Sequence, residues 1–361
     1  MSQTDAAAAL SIAVAARQPV LIWGAPGTGK SSIVRGLAEA MSWPCEVVIA
    51  SIREPSDFAG LPVVSNGGVT FAPPRWATNL AESGHGLLFL DEISTAPPAV
   101  QAALLRVVLE RTVGDLVLPD DVVVVAAANP PEQAADGWDL SAPLANRFCH
   151  LDWSVDPSTV ADGFMAGFPV PDAVALPDGW EAAAPAASAQ VAAFMLLRPG
   201  LTSAPPLDRA SAGRAWPSPR SWEMAAHLLA ATRAAGASAT ATSMLVCGAV
   251  GQGPGLEFLT WLSELDLPDP EAALADPESF ELPERGDRAY AALASITAAV
   301  ASNNTPDRWA AAWVVLGRAA DTAPDVAALS ARALVRNRPD GASTPSEAAA
   351  FLPLLRDAGL A

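Results

Sequence analysis

Eight consecutive residues constrain this 361-residue chain more than any other stretch. Gly24-Ala25-Pro26-Gly27-Thr28-Gly29-Lys30-Ser31 keeps the spacing G-x-x-x-x-G-K-[ST], directly after an apolar run at residues 19–23 and directly before a helix-like stretch at 31–41. A strand, a glycine-rich turn and a helix in that order commit the segment to an α/β unit, the context that this spacing requires. The glycines let the backbone curl so that successive N–H groups point inward. The helix that follows presents its N-terminus to an anion. Residues 24–32, with Ser32 as the last, are therefore predicted to wrap a chain of phosphates. Lys30 would reach the β- and γ-phosphates, and the Ser31 hydroxyl would bind Mg2+. Composition sharpens this. Of 21 basic residues, 20 are arginine, and the one lysine is Lys30. A compact ammonium differs chemically from a guanidinium fork.

A second apolar run, residues 86–90, ends in Asp91 and Glu92, 61 residues after Lys30. Carboxylates at the C-terminal end of a buried strand sit beside the crevice where open α/β sheets bind ligands. Asp91 is expected to hold Mg2+ through water, and Glu92 to polarise an attacking water as general base. A third run, 122–128, ends in Asn129 before Pro130-Pro131. Alone, such an asparagine reads as a turn-former. Behind the Asp-Glu pair it is placed to orient the lytic water or to contact the γ-phosphate.

Around these motifs the chain alternates. Candidate strands at 19–23, 46–49, 86–90, 122–128 and 149–152 are separated by candidate helices, including 31–41 and 99–111. Continuous apolar strands between helices predict a parallel sheet covered on both faces. After residue 156 the pattern is helical: 186–197, 221–235, 238–250, 256–265, 287–301, 306–322 and 345–358, with a Pro/Ser/Gly-rich loop at 199–219. Three regions follow, at 1–155, 156–265 and 266–361. The stretch 257–284 holds nine acidic residues and no basic one. It reads as a solvated surface or linker, with a docking surface for a basic partner as the alternative. The net charge of −18 opposes general nucleic-acid binding, which needs a positive field. No apolar run reaches the roughly 18 residues of a membrane span. The Ala-rich start at 6–16 lacks a basic leader region and follows Asp5. Three scattered cysteines fit neither a disulfide framework nor a zinc site, and suit a reducing, cytoplasmic compartment.

Together, the loop at 24–31, the segment Leu87-Leu88-Phe89-Leu90-Asp91-Glu92, the run into Asn129, Leu144-Ala145-Asn146-Arg147-Phe148 and Pro217-Ser218-Pro219-Arg220-Ser221 resemble the AAA+ ATPases, and within them the MoxR-like group. Residues 56–71 look like that group's helix-2 insert, a small hairpin turning at Asn66-Gly67, and 112–120 suggests a second hairpin. The resemblance spans about residues 10–265. It implies a P-loop NTPase αβα core with a parallel sheet, an all-α lid and, beyond the match, a C-terminal helical extension. It implies ATP and Mg2+ as ligands and a homo-oligomer, a hexameric ring. Protein clients and a von Willebrand factor A-domain partner are implied as well. Arg147 resembles the arginine finger, which acts on a neighbouring subunit's nucleotide. Arg220 resembles the sensor-2 arginine of the small domain, and Asn129 a sensor residue. Neither hairpin carries Lys or clustered Arg, and residues 1–155 hold eight basic against sixteen acidic residues. That favours remodelling of proteins over the alternative, a motor subunit of a restriction or helicase system. A nucleotide-gated scaffold with little turnover is the other alternative, and Glu92 counts against it.

Overall fold

The apolar runs and the helices between them build one layered domain around the glycine-rich loop. The computed structural model describes residues 3–65, 68–130, 138–168 and 170–351. In chain order its first elements are α1 (Gln3–Ala15), β1 (Val20–Trp23), α2 (Lys30–Ala40), β2 (Cys45–Ile49), α3 (Ser56–Ala59), β3 (Leu61–Ser65), β4 (Gly68–Ala72) and α4 (Arg75–Ser83). There follow β5 (His85–Asp91), α5 (Pro98–Glu110), β6 (Thr112–Val113), β7 (Leu116–Val117), β8 (Asp121–Ala128), α6 (Ala142–Ala145), β9 (Cys149–Asp152) and α7 (Pro157–Ala166).

Five strands form a sheet in the order β2-β5-β8-β1-β9, every pair parallel. Because β8 lies between β1 and β5, the strand that ends before Asn129 separates the loop strand from the carboxylate strand. Pairing of Trp23 with Ala128 and Asp152, and of Ile49 with Asp91, aligns the strand ends along one edge. All of β1 and the interiors of β5 and β8 are buried, as continuous apolar strands must be under two helical layers. On one face Trp23, Leu88, Leu90 and Val124 cluster with Val100, Leu104 and Val107 of α5 and Leu144 of α6. Each such side chain contributes roughly 1.5–3 kcal/mol by leaving water. Helix α2 packs against β5 and β8.

Both expected hairpins are present as antiparallel pairs, β3 with β4 and β6 with β7. The turn at Asn66-Gly67 lies outside the described residues. The hairpins are tied together. The Phe71 N–H donates to Asp115 Oδ2 at 2.7 Å, and the Asp115 N–H donates to the Phe71 carbonyl at 3.0 Å. Gly114, with φ +60°, is required at this junction, since a Cβ there would lie 2.4 Å from that carbonyl oxygen.

Beyond residue 179, every described element is helical: α8 (Ala184–Leu197), α9 (Arg209–Ala212), α10 (Pro219–Ala234), α11 (Ala239–Val250), α12 (Gln252–Ser263), α13 (Pro270–Ala275), α14 (Gly286–Ser302), α15 (Pro306–Ala320) and α16 (Pro324–Arg336), with short 3-10 turns between them. Helices α1, α3, α4, α6, α7, α9, α13 and α16 are not among those expected from the sequence, and α9 falls inside the stretch 199–219 expected as loop. Of the helix expected at 345–358, the described part is a 3-10 turn, Ser346–Phe351, and 352–358 lies outside the described residues. Among the described residues no helix is long and apolar enough to cross a membrane.

Packing gives two compact units, Met1–Asp178 with Leu201–Leu256, and Gly179–Gly200 with Glu257–Ala361. In the first, α10 and α11 pack on each other and on α1, and α11 lies against β9. Gly248 permits that approach, because a Cβ there would stand 2.3 Å from the His150 carbonyl. In the second, α8 packs on α14, and Phe194 meets Phe258 and Trp261. Residues 156–265, expected as one lid, thus contribute to both units. Nearly apolar all round, α8 buries Val191 and Phe194 among the C-terminal helices.

Candidate functional site

The glycine-rich loop leaves β1 at Gly24, whose N–H donates to the Ala128 carbonyl at 3.2 Å. A Cβ on Gly24 would lie 2.6 Å from the Trp153 carbonyl, so only glycine fits. Gly27 and Gly29 have open space but φ of +76° and +84°, the left-handed conformation that glycine adopts without strain. Ala25, Pro26, Thr28 and Ser32 complete the loop and the first turn of α2, with Pro26 and Ser32 exposed. Two contacts brace the loop. Thr28 Oγ1 donates to the Ala25 carbonyl at 2.7 Å, and the Trp153 indole N–H donates to the Thr28 carbonyl at 2.9 Å. Trp153 follows β9 and carries no motif, so sequence reading passes over it.

At the strand edge four of the expected groups form one cluster. Lys30, 8% exposed, donates from Nζ to the carbonyls of Gly24 at 2.8 Å and Ala25 at 3.0 Å, and to Asn129 Oδ1 at 2.9 Å. Ser31 Oγ donates to Asp91 Oδ2 at 2.7 Å. Burial lowers the Lys30 pKa from the ordinary lysine value, and the nearby Asp91 carboxylate opposes that shift. Glu92 sits beside this cluster with φ 58°, a left-handed conformation unusual outside glycine. Such backbone costs about 1–3 kcal/mol and gathers at functional sites. Its carboxylate accepts a hydrogen bond from Ser51 Oγ at 2.5 Å. Ser51 lies just past β2, the strand next to β5, and no sequence signal marks it.

Arg147 and Arg220 stand apart from this cluster. Among the described residues, neither makes a hydrogen bond or ion pair to Lys30, Asp91, Glu92 or Asn129. The Arg147 guanidinium donates to the Pro143 carbonyl. Its pKa is lowered first by burial and then by the positive charge of Arg220. Arg220 is the second residue of α10, whose N-terminus is closed by a capping box between Ser218 and Ser221.

The stretch 201–218, which includes α9, also supplies groups. Arg209 and Arg214 line a pocket with Trp23, Ser94, Asn129 and Trp138. The Arg214 guanidinium lies 4.0 Å over the Trp23 ring and 3.0 Å from Asp152 Oδ1. Behind it, the Trp23 indole N–H donates to His150 Nδ1 at 2.8 Å. Indole nitrogen can only donate, so the proton of His150 is on Nε2, which donates to the Ala145 carbonyl at 2.9 Å. Burial lowers the His150 pKa to about 4, and the ring is neutral at neutral pH.

Chemically, the cluster offers a buried cation, a hydroxyl–carboxylate pair, a base and an amide around one loop of inward-curling backbone. Residues 19–148 match the AAA domain of the dynein-related subfamily. The Psp operon transcriptional activator of Escherichia coli is 37% identical over 120 residues, 31% of this chain and 37% of that protein. The Sigma54-dependent transcriptional regulator SfnR of Pseudomonas fluorescens is 37% identical over 122 residues, 30% of this chain and 32% of that protein. The chain thus spans about a third of the length of these curated relatives. A full-length MCM homologue from Methanopyrus kandleri is 16% identical with a TM-score of 0.36, over 70% of this chain and 54% of that one. The first unit has the AAA+ P-loop NTPase fold, an AAA domain with its parallel five-stranded sheet.

Proposed function

We propose that this chain binds ATP with Mg2+ at the loop of residues 24–32 and hydrolyses it to ADP and phosphate. The observation that carries this is the single cluster at the strand edge, where Lys30 meets Asn129 and Ser31 meets Asp91. The inward N–H groups and Lys30 would hold the phosphates. Ser31 and Asp91 bring a hydroxyl and a carboxylate oxygen to 2.7 Å, hard donors of the kind Mg2+ takes together with phosphate oxygens. When bound there, Mg2+ would draw negative charge from those oxygens. Glu92 takes the proton of the attacking water, Ser51 fixes the carboxylate's direction, and Asn129 orients the water or the γ-phosphate beside Lys30.

Arg147 and Arg220 complete the site from a neighbouring copy in a ring, taken as hexameric. Their mutual proximity, and their lack of bonds to the cluster on their own chain, support one shared target on another chain. A guanidinium fork placed against a transferring phosphoryl group offsets its developing charge.

The work driven is remodelling of a protein client, in the manner of the MoxR-like group and with a von Willebrand factor A-domain partner, in the cytoplasm. The paired hairpins support this. Leu61, Val63, Val64, Val69 and Phe71 are exposed there, and residues 60–72 and 112–118 contain no Lys or Arg. Such a surface meets apolar protein segments, whereas a strand of nucleic acid needs positive charge along its track.

Glu92→Gln is the test. It should keep ATP affinity in a binding titration and lower steady-state turnover by roughly 10²–10⁴. Unchanged turnover would remove Glu92 from the chemistry and leave the scaffold reading. Turnover stimulated many-fold by DNA or RNA would favour the nucleic-acid motor.

A further inference from the structure

We infer that Asn146 is a positioning residue that sets Arg147 and Arg220 side by side for one anionic target. The inference rests on the reading that Arg147 serves the nucleotide of a neighbouring copy. Asn146 closes the C-terminus of α6 and is buried, 5% exposed. Its side chain belongs to neither the phosphate loop nor the carboxylate pair. Instead it bridges two elements. Nδ2 donates to the Trp216 carbonyl at 2.9 Å, and Oδ1 accepts from Ser218 Oγ at 2.6 Å.

Both contacts fall on the turn that starts α10. Ser218 is the N-cap of that helix, and its Oγ also accepts from the Ser221 N–H at 3.1 Å. Ser221 Oγ accepts from the Ser218 N–H at 2.8 Å and donates to the same Trp216 carbonyl at 3.0 Å. One buried amide is therefore fastened to both ends of a closed hydrogen-bonded turn. Arg147 is the next residue on one side of the bridge, and Arg220 is two residues past Ser218 on the other. The amide therefore holds the backbone that carries Arg147 against the backbone that carries Arg220.

The chemistry of the clamp matters as much as its reach. The positive charge of Arg220 acts on Arg147, and among the described residues neither has a carboxylate at ion-pair distance. Two cations held near one another repel, so something must hold their backbones together. A carboxylate could do that, but it would neutralise the pair. A neutral amide holds the two backbones and leaves both charges for an incoming anion, here the phosphate chain of the neighbouring nucleotide. Buried hydrogen bonds between elements also resist displacement, because breaking them strands polar groups away from water.

Complementation between variants tests this. Asn146→Ala should bind ATP with the parent's affinity, because its own loop is intact. Its turnover should fall by tenfold or more, up to about 10²-fold, since small displacements of a charge-stabilising group carry that scale of loss. Mixed with Lys30→Ala chains, which retain a correctly held Arg147, Asn146→Ala should regain turnover. Mixed with Arg147→Ala chains, it should stay as inactive as alone, because neither chain then supplies a well-placed pair. Ser218→Ala should behave in the same way, while Ser218→Thr, which keeps the hydroxyl, should restore turnover. Should Asn146→Ala fail to fold, the Ser218 variants decide alone. Parent-like turnover in both Asn146→Ala and Ser218→Ala overturns the inference, as does recovery in the mixture with Arg147→Ala. If Arg147→Ala and Lys30→Ala recover together while Asn146→Ala and Lys30→Ala do not, Asn146 has another role and the inference fails alone. If Arg147→Ala and Lys30→Ala do not recover, the neighbouring-copy reading has failed, and this inference with it.

Discussion

In the first unit, buried polar side chains reach from one element to another. Gln101 of α5 donates to the Ala96 carbonyl at 3.0 Å and accepts from the Ser141 N–H at 2.8 Å. His150 joins β1 to α6, and Asn146 joins α6 to the start of α10. In the second unit, Ser295 and Thr297 are as well buried, yet each donates to the carbonyl four residues back on its own helix, at 2.8 Å. That bond satisfies a hydroxyl locally and positions nothing else. Apolar contact does most of the holding there: Trp309, Trp313, Phe351, Leu293 and Leu316 form one cluster, with the Trp309 indole N–H tied across to α16. The contrast separates two uses of a core. In the first unit, cross-element hydrogen bonds run beside the charged groups at the strand edge, while in the second aromatic and aliphatic packing dominates.

A large truncation in the second core should have the greatest effect. Trp309 is 2% exposed, meets Trp313 edge-on at 5.8 Å and donates to the Leu334 carbonyl at 2.8 Å. Trp309→Ala should lower unfolding stability by about 3–5 kcal/mol while leaving ATP affinity unchanged. Denaturant unfolding beside a nucleotide titration checks both, and loss of affinity would show that the two units are not separable in this way. A smaller effect comes from His150 in the first unit. Its folded pKa is about 4 against an ordinary 6.5, so between those values the unfolded chain binds a proton that the folded chain refuses. The stability due to neutral His150 is complete above pH 6.5 and is lost as pH falls from there towards 4, on the order of 1–3 kcal/mol. Thermal unfolding between pH 7 and 4.5 should show a steeper decline in the parent than in His150→Gln. Equal slopes would contradict the buried neutral ring. Smallest is the effect at Lys30. Its lowered pKa means that ATP affinity should weaken on the alkaline side before an ordinary lysine, at 10.5, would lose its proton. Affinity flat through pH 10 would place Lys30 in a more solvated setting.

The parts of the site that repeat a fixed spacing were legible in the chain itself. Gly24 to Ser31, Asp91, Glu92 and Asn129 each end an apolar strand or begin a helix, and strand alignment does the rest. Both hairpins were legible too, from turn residues between apolar runs. What stayed hidden depends on elements distant in sequence. Ser51 and Trp153 look like ordinary loop residues until β2 is set beside β5 and β9 beside β1, and Asn146, though inside the Leu144–Phe148 motif, shows no role until α6 is set beside the start of α10. Ahead of the motif that begins at Pro217, the stretch from 199 read as loop, yet it holds α9 and carries Arg209 and Arg214 to the pocket beside Asn129. The grouping of α8 with the C-terminal helices was hidden for the same reason, since Phe194 finds its aromatic partners more than sixty residues away.

The proposed hydrolytic site needs two chains, one supplying Lys30, Asp91 and Glu92, the other Arg147 and Arg220. Mixing Lys30→Ala with Arg147→Ala chains and measuring ATP turnover tests it most directly. Each variant alone should be nearly inactive. In the mixture, an intact Lys30 can meet an intact Arg147 from its neighbour, so part of the parent's activity should return. A mixture that assembles into oligomers yet stays as inactive as its components would contradict the shared site, and so would normal turnover by Arg147→Ala alone.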